Sequence, residues 1–228
     1  MEVPGYGLDA TAARLARDGR TVPPRPRLRT GALSRTWLRR YQRAGVAQML
    51  GHMETTGAVL LADEVGLGKT RQALAAAEEV SSGAARILVV CPAHIRSVWR
   101  DELLEVALAK PEEILIVLTG AQTPPLPSEV RWVITSYNLA GAWADLAPHG
   151  WSVAIFDEIH LLRGRATVRR ATTRALGAWS RYRIGVTGTP IWSRPRDAYA
   201  PLTMLWPGGF GSQWAFDRAY CAGHQGRW

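Results

Sequence analysis

Apolar residues along this chain fall into two alternating patterns. Short runs with apolar residues at consecutive positions occur at Ala58–Ala62, Ile87–Cys91, Ile114–Leu118, Trp132–Thr135, Val153–Phe156 and Ile184–Thr187. They are rich in Val, Ile and Leu, as strands buried on both faces are. Between them lie segments with helical spacing: Thr70–Val80, Ile95–Val106, Leu139–Leu146 and Thr167–Trp179. A strand that is apolar all round needs cover on both sides. The alternation therefore predicts an α/β domain, a mostly parallel sheet with helices on both faces, joined by right-handed crossovers. Strand order is not readable from the pattern, and there are no internal repeats.

Residues 1–34 show neither period. The run Thr21-Val22-Pro23-Pro24-Arg25-Pro26-Arg27-Leu28-Arg29 is rich in proline and arginine, and Asp18 is the single acid between Arg14 and Arg43. This reads as a basic tail or linker, either solvated or resting on nucleic-acid phosphates. The organisation expected is a tail over 1–34, a nucleotide-binding lobe over 35–194 and a helical extension over 195–228.

With 228 residues, 47% of them hydrophobic, the chain has room for one domain with a real core. No run approaches the ~18 apolar residues of a membrane span. The start, Met-Glu-Val-Pro-Gly, lacks the layout of a secretory signal. The two cysteines, Cys91 and Cys221, form no disulfide framework or metal-ligand spacing; Cys91, ending an apolar run, is expected to be a buried thiol. The expectation is a cytoplasmic chain without a membrane partner. Its net charge of +9 comes almost wholly from arginine, with Lys69 and Lys110 the only lysines. That favours a polyanionic partner, since guanidinium groups fork onto phosphates. A GC-rich genome and a merely soluble basic surface account for the same bias.

The most specific chemistry follows the first strand, at Asp63-Glu64-Val65-Gly66-Leu67-Gly68-Lys69-Thr70. Glycines let the backbone curl so that successive N–H groups meet phosphate oxygens, and the following helix adds the positive end of its dipole. Lys69 then reaches the β- and γ-phosphates and the Thr70 hydroxyl ligates Mg²⁺. The strict pattern wants glycine where Asp63 stands. A glycine-rich turn with a solvated lysine is the alternative, but it leaves unexplained why one of two lysines falls there.

ATP hydrolysis also needs a carboxylate for Mg²⁺ and another to orient water. The run Val153-Ala154-Ile155-Phe156 delivers Asp157 and Glu158 at a strand's carboxyl edge, where ligands of open α/β sheets bind. Asp157 is the expected Mg²⁺ partner and Glu158 the residue that activates water. His160 reads either as a strand cap or as a link to the next loop.

These elements together resemble the SWI/SNF-type ATPases of helicase superfamily two. The stretch over 63–70 resembles their first motif, which accounts for the missing glycine. Asp157-Glu158-Ile159-His160 resembles their D-E-A-H box, with Ile159 in place of alanine. Thr187-Gly188-Thr189-Pro190 resembles the third motif, which in the family couples nucleotide site to nucleic-acid track. Leu38-Arg39-Arg40-Tyr41-Gln42 is similar to the upstream adenine-reading element, where a glutamine pairs with the base. Pro92-Ala93-His94-Ile95-Arg96-Ser97-Val98-Trp99 resembles motif Ia and Thr135-Ser136-Tyr137-Asn138 motif Ib. The resemblance implies a RecA-like P-loop lobe, ATP and Mg²⁺ as cofactors, and nucleic-acid contacts near Pro92, His94, Ser136 and Tyr137. Double-stranded DNA is the track it favours. The stretches 205–212 and 216–221 are similar to the annealing-helicase branch.

Family members have two such lobes, and arginine fingers come from the second. No later helicase motif is found before Trp228, so the chain is expected to bind ATP and to need a second lobe for full hydrolysis; either another polypeptide supplies that lobe or the chain is a truncated or split product. Arg163, Arg165, Arg169 and Arg170 read as a solvated helix face. Trp99, Trp132, Trp151 and Trp179 read as core. Trp192, Trp206, Trp214 and Trp228 read as a contact to a missing lobe or subdomain. A nucleotide-gated binding module without motor activity remains the alternative.

Overall fold

The first helix, α1 (Arg40–Thr56), lies outside the segments predicted as helical. Its core side keeps a helical spacing, with Gln42, Val46, Met49, Leu50 and Met53 buried and arginines around its start. It stops where Gly57 adopts a left-handed φ of 73° and its N–H bonds back to Met53, as glycine C-caps do. The protein is described here from a computed structural model covering residues 35–81, 85–106, 108–120, 126–140, 150–163, 168–191 and 193–221. The tail over 1–34, Trp192, Trp228, Arg165 and residues 141–146 of the 139–146 segment lie outside the described residues, as do the side chains of Arg169 and Arg170.

Six strands follow the apolar runs: β1 (Ala58–Leu61), β2 (Ile87–Cys91), β3 (Ile114–Ile116), β4 (Trp132–Ser136), β5 (Trp151–Asp157) and β6 (Ser180–Val186). All neighbours pair in parallel, in the order β1-β6-β5-β2-β4-β3. The helices between them are α2 (Lys69–Val80), α3 (Arg96–Glu105), α4 (Tyr137–Ala140) and α5 (Val168–Ala178), and α6 (Tyr199–Leu205) and α7 (Gln213–Tyr220) follow β6. Strand β6 begins four residues before the apolar run because Arg181 and Arg183 are buried in its first half. Charged side chains at those positions hid the strand.

Alternate residues point to opposite sides of a strand. Val153 and Ile155 of β5 therefore join Ile184 and Val186 of β6, and Ile87 and Val89 of β2, on one face. The side chains of α1, α2 and α3 cover that face, including Leu74, Trp99 and Leu103. Ala154 and Phe156 face the other way, onto Tyr137, Leu176, Met204 and Leu205. Truncating a core residue such as Leu74 to alanine costs about 2–5 kcal/mol. Helix α2 has alanine at half of its eight buried positions, Ala73 and Ala75–Ala77, small side chains that suit close packing. Arg71 ties it to α3 through Glu102 and Glu105.

Among the tryptophans, Trp99, Trp132 and Trp151 are fully buried, whereas Trp179 and Trp206 are only half-buried and Trp214 is exposed beside Arg218. Cys91 is buried, and burial pushes its thiol up to about 12, with the Asp157 charge adding to the shift. No described helix is long and apolar enough to cross a membrane.

Candidate active site

Register places the site. Leu61 at the end of β1 and Asp157 at the end of β5 both pair with Val186, at the end of the intervening β6. Their backbones thus stand roughly 10 Å apart, two strand spacings, on one edge of the sheet. The glycine-rich loop, the Thr187–Pro190 loop and the acidic pair all leave from this edge. The register brings together what the sequence kept far apart.

In the first loop Gly66 and Gly68 take φ values of 88° and 69°, a region that side chains disfavour. A side chain at 68 would also collide with the Gln42 amide. Val65, Gly66 and Leu67 are exposed. The Lys69 ammonium donates to the carbonyls of Asp63 and Glu64, each at 2.9 Å. Asp63, where the strict pattern has glycine, accepts from Gln72 at 2.9 Å and so fastens the loop to α2. Helix α2 opens with no side-chain cap and no acid in its first turn. Its positive end is left for an anion. Thr70 is its second residue.

Gln42 is buried between α1 and this loop. Its oxygen accepts from the Arg39 N–H at 2.8 Å and its nitrogen donates to the Leu67 carbonyl at 3.1 Å. One donor and one acceptor of the amide are used inside the chain, which leaves one of each for a base. Leu67 also accepts from Tyr41.

The acidic loop is built differently. Asp157 is 8% exposed. Its Oδ1 accepts from the Glu158 N–H at 2.9 Å and its Oδ2 from the Trp99 indole at 2.8 Å. Tyr137 donates to the Asp157 carbonyl at 2.7 Å. Burial raises the Asp157 carboxyl above its ordinary value; the Trp99 bond opposes the shift, the Glu158 charge adds to it, and the Glu158 N–H and Lys69 pull it back. Glu158 has a left-handed φ of 49°, the only such non-glycine among the described residues. A strained conformation of this kind costs of order 1–3 kcal/mol and must be held by its surroundings.

His160 links two loops. Its Nδ1 lies 3.0 Å from the Glu158 carboxylate, 2.9 Å from the Thr187 hydroxyl and 3.3 Å from that of Thr189. A protonated Nδ1 donates to Glu158; an unprotonated one accepts from a threonine. The two arrangements exclude each other. Burial, and then Arg163, lower the His160 pKa, which favours the neutral ring. Gly188 packs on Val65, and a Cβ there would lie 3.6 Å from the Lys69 ammonium. Thus the third loop touches both of the others.

The nucleic-acid assignments divide. His94 is exposed and Pro92 half-buried. Ser136 and Tyr137 are buried at 3% and 4% exposure, and their hydroxyls bond inward, to the Leu139 N–H and the Asp157 carbonyl. Those two side chains are thus turned inward in this fold, because motif spacing fixes a place along the chain but not the face a side chain takes. Sequence reasoning also missed two residues of the site. Gln72 was legible as the one amide in an alanine-rich buried helix; the polar role of Trp99 left no signal.

Among the described residues no cluster of three or more His, Cys, Asp or Glu side chains could hold a metal alone. Mg²⁺ does not need one, because phosphates and waters complete its shell around one or two protein ligands. The donor set of Thr70 and Asp157, beside an uncapped helix start, fits a magnesium nucleotide.

A family model described as the SNF2-related domain matches residues 41–224. The chain belongs to the SNF2-related domain family. It is similar to the DNA annealing helicase and endonuclease ZRANB3 of Mus musculus, with 30% identity over 83% of this chain and 18% of that protein. It is also similar to the SWI/SNF-related matrix-associated actin-dependent regulator of chromatin subfamily A-like protein 1 of Drosophila melanogaster, with 31% identity over 74% of this chain and 22% of the relative. The SWI2/SNF2 ATPase core of Sulfolobus solfataricus, solved in complex with dsDNA, superposes with a TM-score of 0.73 and 26% identity. That match covers 82% of this chain and 40% of the archaeal one. As an SNF2-related domain with this sheet, the chain is a helicase-like ATPase lobe of RecA-like fold, and its relatives support the annealing-helicase branch. The family brings ATP with a divalent metal. The chain spans about a fifth of the length of these two relatives.

Proposed function

We propose that this SNF2-family lobe binds ATP with Mg²⁺ and serves as the first half of a double-stranded-DNA translocase, completed by a second RecA-like lobe. The observation that carries the reading is the shared pairing of Leu61 and Asp157 with Val186, which sets Lys69 and the acidic pair on one edge. Lys69 exchanges the carbonyls of Asp63 and Glu64 for phosphate oxygens, while the α2 N-terminus and the 66–68 backbone supply further donors. Thr70 and Asp157 are the metal's protein ligands. Bound there, Mg²⁺ neutralises charge on the phosphates. Glu158 orients the attacking water, and its link to His160 sets when it is released to do so. Thr187 and Thr189 relay that exchange toward the DNA track, near His94. Arginine fingers from the second lobe supply about 10³–10⁵ in rate in related phosphoryl-transfer enzymes, so this lobe alone turns over slowly.

The test combines ATP binding by the purified chain with DNA-stimulated hydrolysis once a second lobe from a relative is added. Glu158→Gln is expected to keep ATP binding and to lose at least about a hundredfold in turnover, the scale of a catalytic acid–base group. DNA binding is expected to weaken steeply with salt, as phosphate contacts do. Vigorous DNA-stimulated turnover by the chain alone counts against the two-lobe reading. An absence of ATP binding counts against all of it.

A further inference from the structure

Trp99 fills core space, being 1% exposed, but its polar atom does something that filling space does not require. Its indole N–H donates to Asp157 Oδ2 at 2.8 Å, while the Glu158 N–H holds Oδ1 at 2.9 Å. Both oxygens are therefore fixed, one from each side, and the plane of the carboxylate with them. Each oxygen keeps a lone pair for another partner. An indole has one donor, no acceptor and no charge. It can orient a carboxylate without competing for a cation and without neutralising the charge that attracts one.

The sheet makes this contact. Asp157 follows Val153 and Ile155 on the face covered by α3, and Trp99 and Leu103 form the buried seam of that helix. Arg71 bonds α3 to α2 through Glu102 and Glu105. The helix that carries the indole is thereby braced against the helix that starts at Lys69 and Thr70.

We infer that Trp99 is a positioning residue for the cation site: it sets the carboxylate of Asp157 for Mg²⁺ rather than merely packing behind it. The inference rests on the reading of Asp157 as a metal ligand. Outer-shell partners of this kind typically change metal affinity about 10–100-fold when removed; a neutral donor on one oxygen belongs at the lower end.

The experiment is a Mg²⁺ titration of the binding of a fluorescent ATP analogue, followed by anisotropy, in the wild-type chain, Trp99→Phe, Asp157→Asn and the double variant. Phenylalanine keeps most of the bulk and removes the donor. The expected result is a half-saturating Mg²⁺ concentration raised about tenfold in Trp99→Phe, with binding in EDTA nearly unchanged. In the Asp157→Asn background the second substitution is expected to add little, since the effect runs through that carboxylate. A folded Trp99→Phe with the wild-type Mg²⁺ requirement, or with equal loss in Mg²⁺ and in EDTA, overturns the inference alone. A wild-type chain that binds no analogue at any Mg²⁺ concentration overturns the reading of the site as well. Should the phenylalanine variant fail to fold, the indole N–H resonance perturbed in Asp157→Asn marks Trp99 in the wild type. It must shift when Mg²⁺ joins the analogue complex; an unmoved resonance overturns the inference.

Discussion

The loop after β1 and the loop after β5 leave the same sheet edge but are held in opposite ways. The first is exposed, turns on Gly66 and Gly68, and keeps its lysine on two backbone carbonyls. The second starts from a buried aspartate whose two carboxylate oxygens and carbonyl all accept hydrogen bonds from within the chain. On the proposed function, the difference follows from what each loop must do. A phosphate cradle has to exchange internal contacts for ligand contacts, so its bonds must be easily given up. A carboxylate that holds a cation gains by being fixed beforehand, because orientation then costs nothing when the ligand arrives. Stability and ligand binding should therefore separate between the two loops.

The largest separation is expected from Lys69→Ala. Loss of a charged donor to phosphate should weaken ATP binding by about a hundredfold, on the scale of ~1.5–3 kcal/mol for a bond to a charged group. The melting temperature should hardly move, since the ammonium contacts only two carbonyls of a partly exposed loop. Calorimetric binding and thermal unfolding of the same sample check both halves. Comparable losses in the two measurements would mean that the first loop is as structural as the second.

Tyr137→Phe probes the clamped side. It removes the buried donor to the Asp157 carbonyl and should cost about 1 kcal/mol of stability, a fall in melting temperature of about 2–4 °C for a domain of this size. The substitution leaves the exposed glycine loop untouched, so binding in EDTA should stay at the wild-type level. A variant as stable as the wild type would show that the carbonyl is served equally well without the tyrosine.

The smallest effect concerns pH. Burial lowers the His160 pKa in the folded chain, so the unfolded state takes up the proton more readily. The stability this contributes is complete above the ordinary histidine value of about 6.5 and is lost as pH falls below it. Asp157, raised by burial, acts in the opposite direction, so the two must be separated by difference. Unfolding curves between about pH 7.5 and 5 should show wild type losing stability relative to His160→Gln. Parallel curves would remove His160 from the titration, and with it the reason to regard its neutral ring as the resting form.

Much of the fold was legible in the chain. The six apolar runs became six strands, because a segment apolar at every position can only be satisfied between two layers. The errors lie at the edges. Helix α1 was passed over although Val46, Met49, Leu50 and Met53 keep the helical i, i+3, i+4, i+7 spacing, and the first half of β6 is masked by Arg181 and Arg183. The left-handed turn at Gly68 was identifiable because it is a matter of spacing along a few residues.

What sequence determined by itself was thus local: which segments are strands, where the backbone must turn on glycine, and which residues are candidates for phosphate or acid chemistry. Tertiary structure alone decided the rest, since strand order and register arise from pairing between segments that lie apart in the chain, as Ala58 of β1 and Arg183 of β6 do. That pairing put Asp157 two strand spacings from the end of β1, across β6. Side-chain parity then turned it toward Trp99 on α3 and turned the hydroxyl of Tyr137 inward, contacts that depend on three-dimensional packing and that leave no period in the chain.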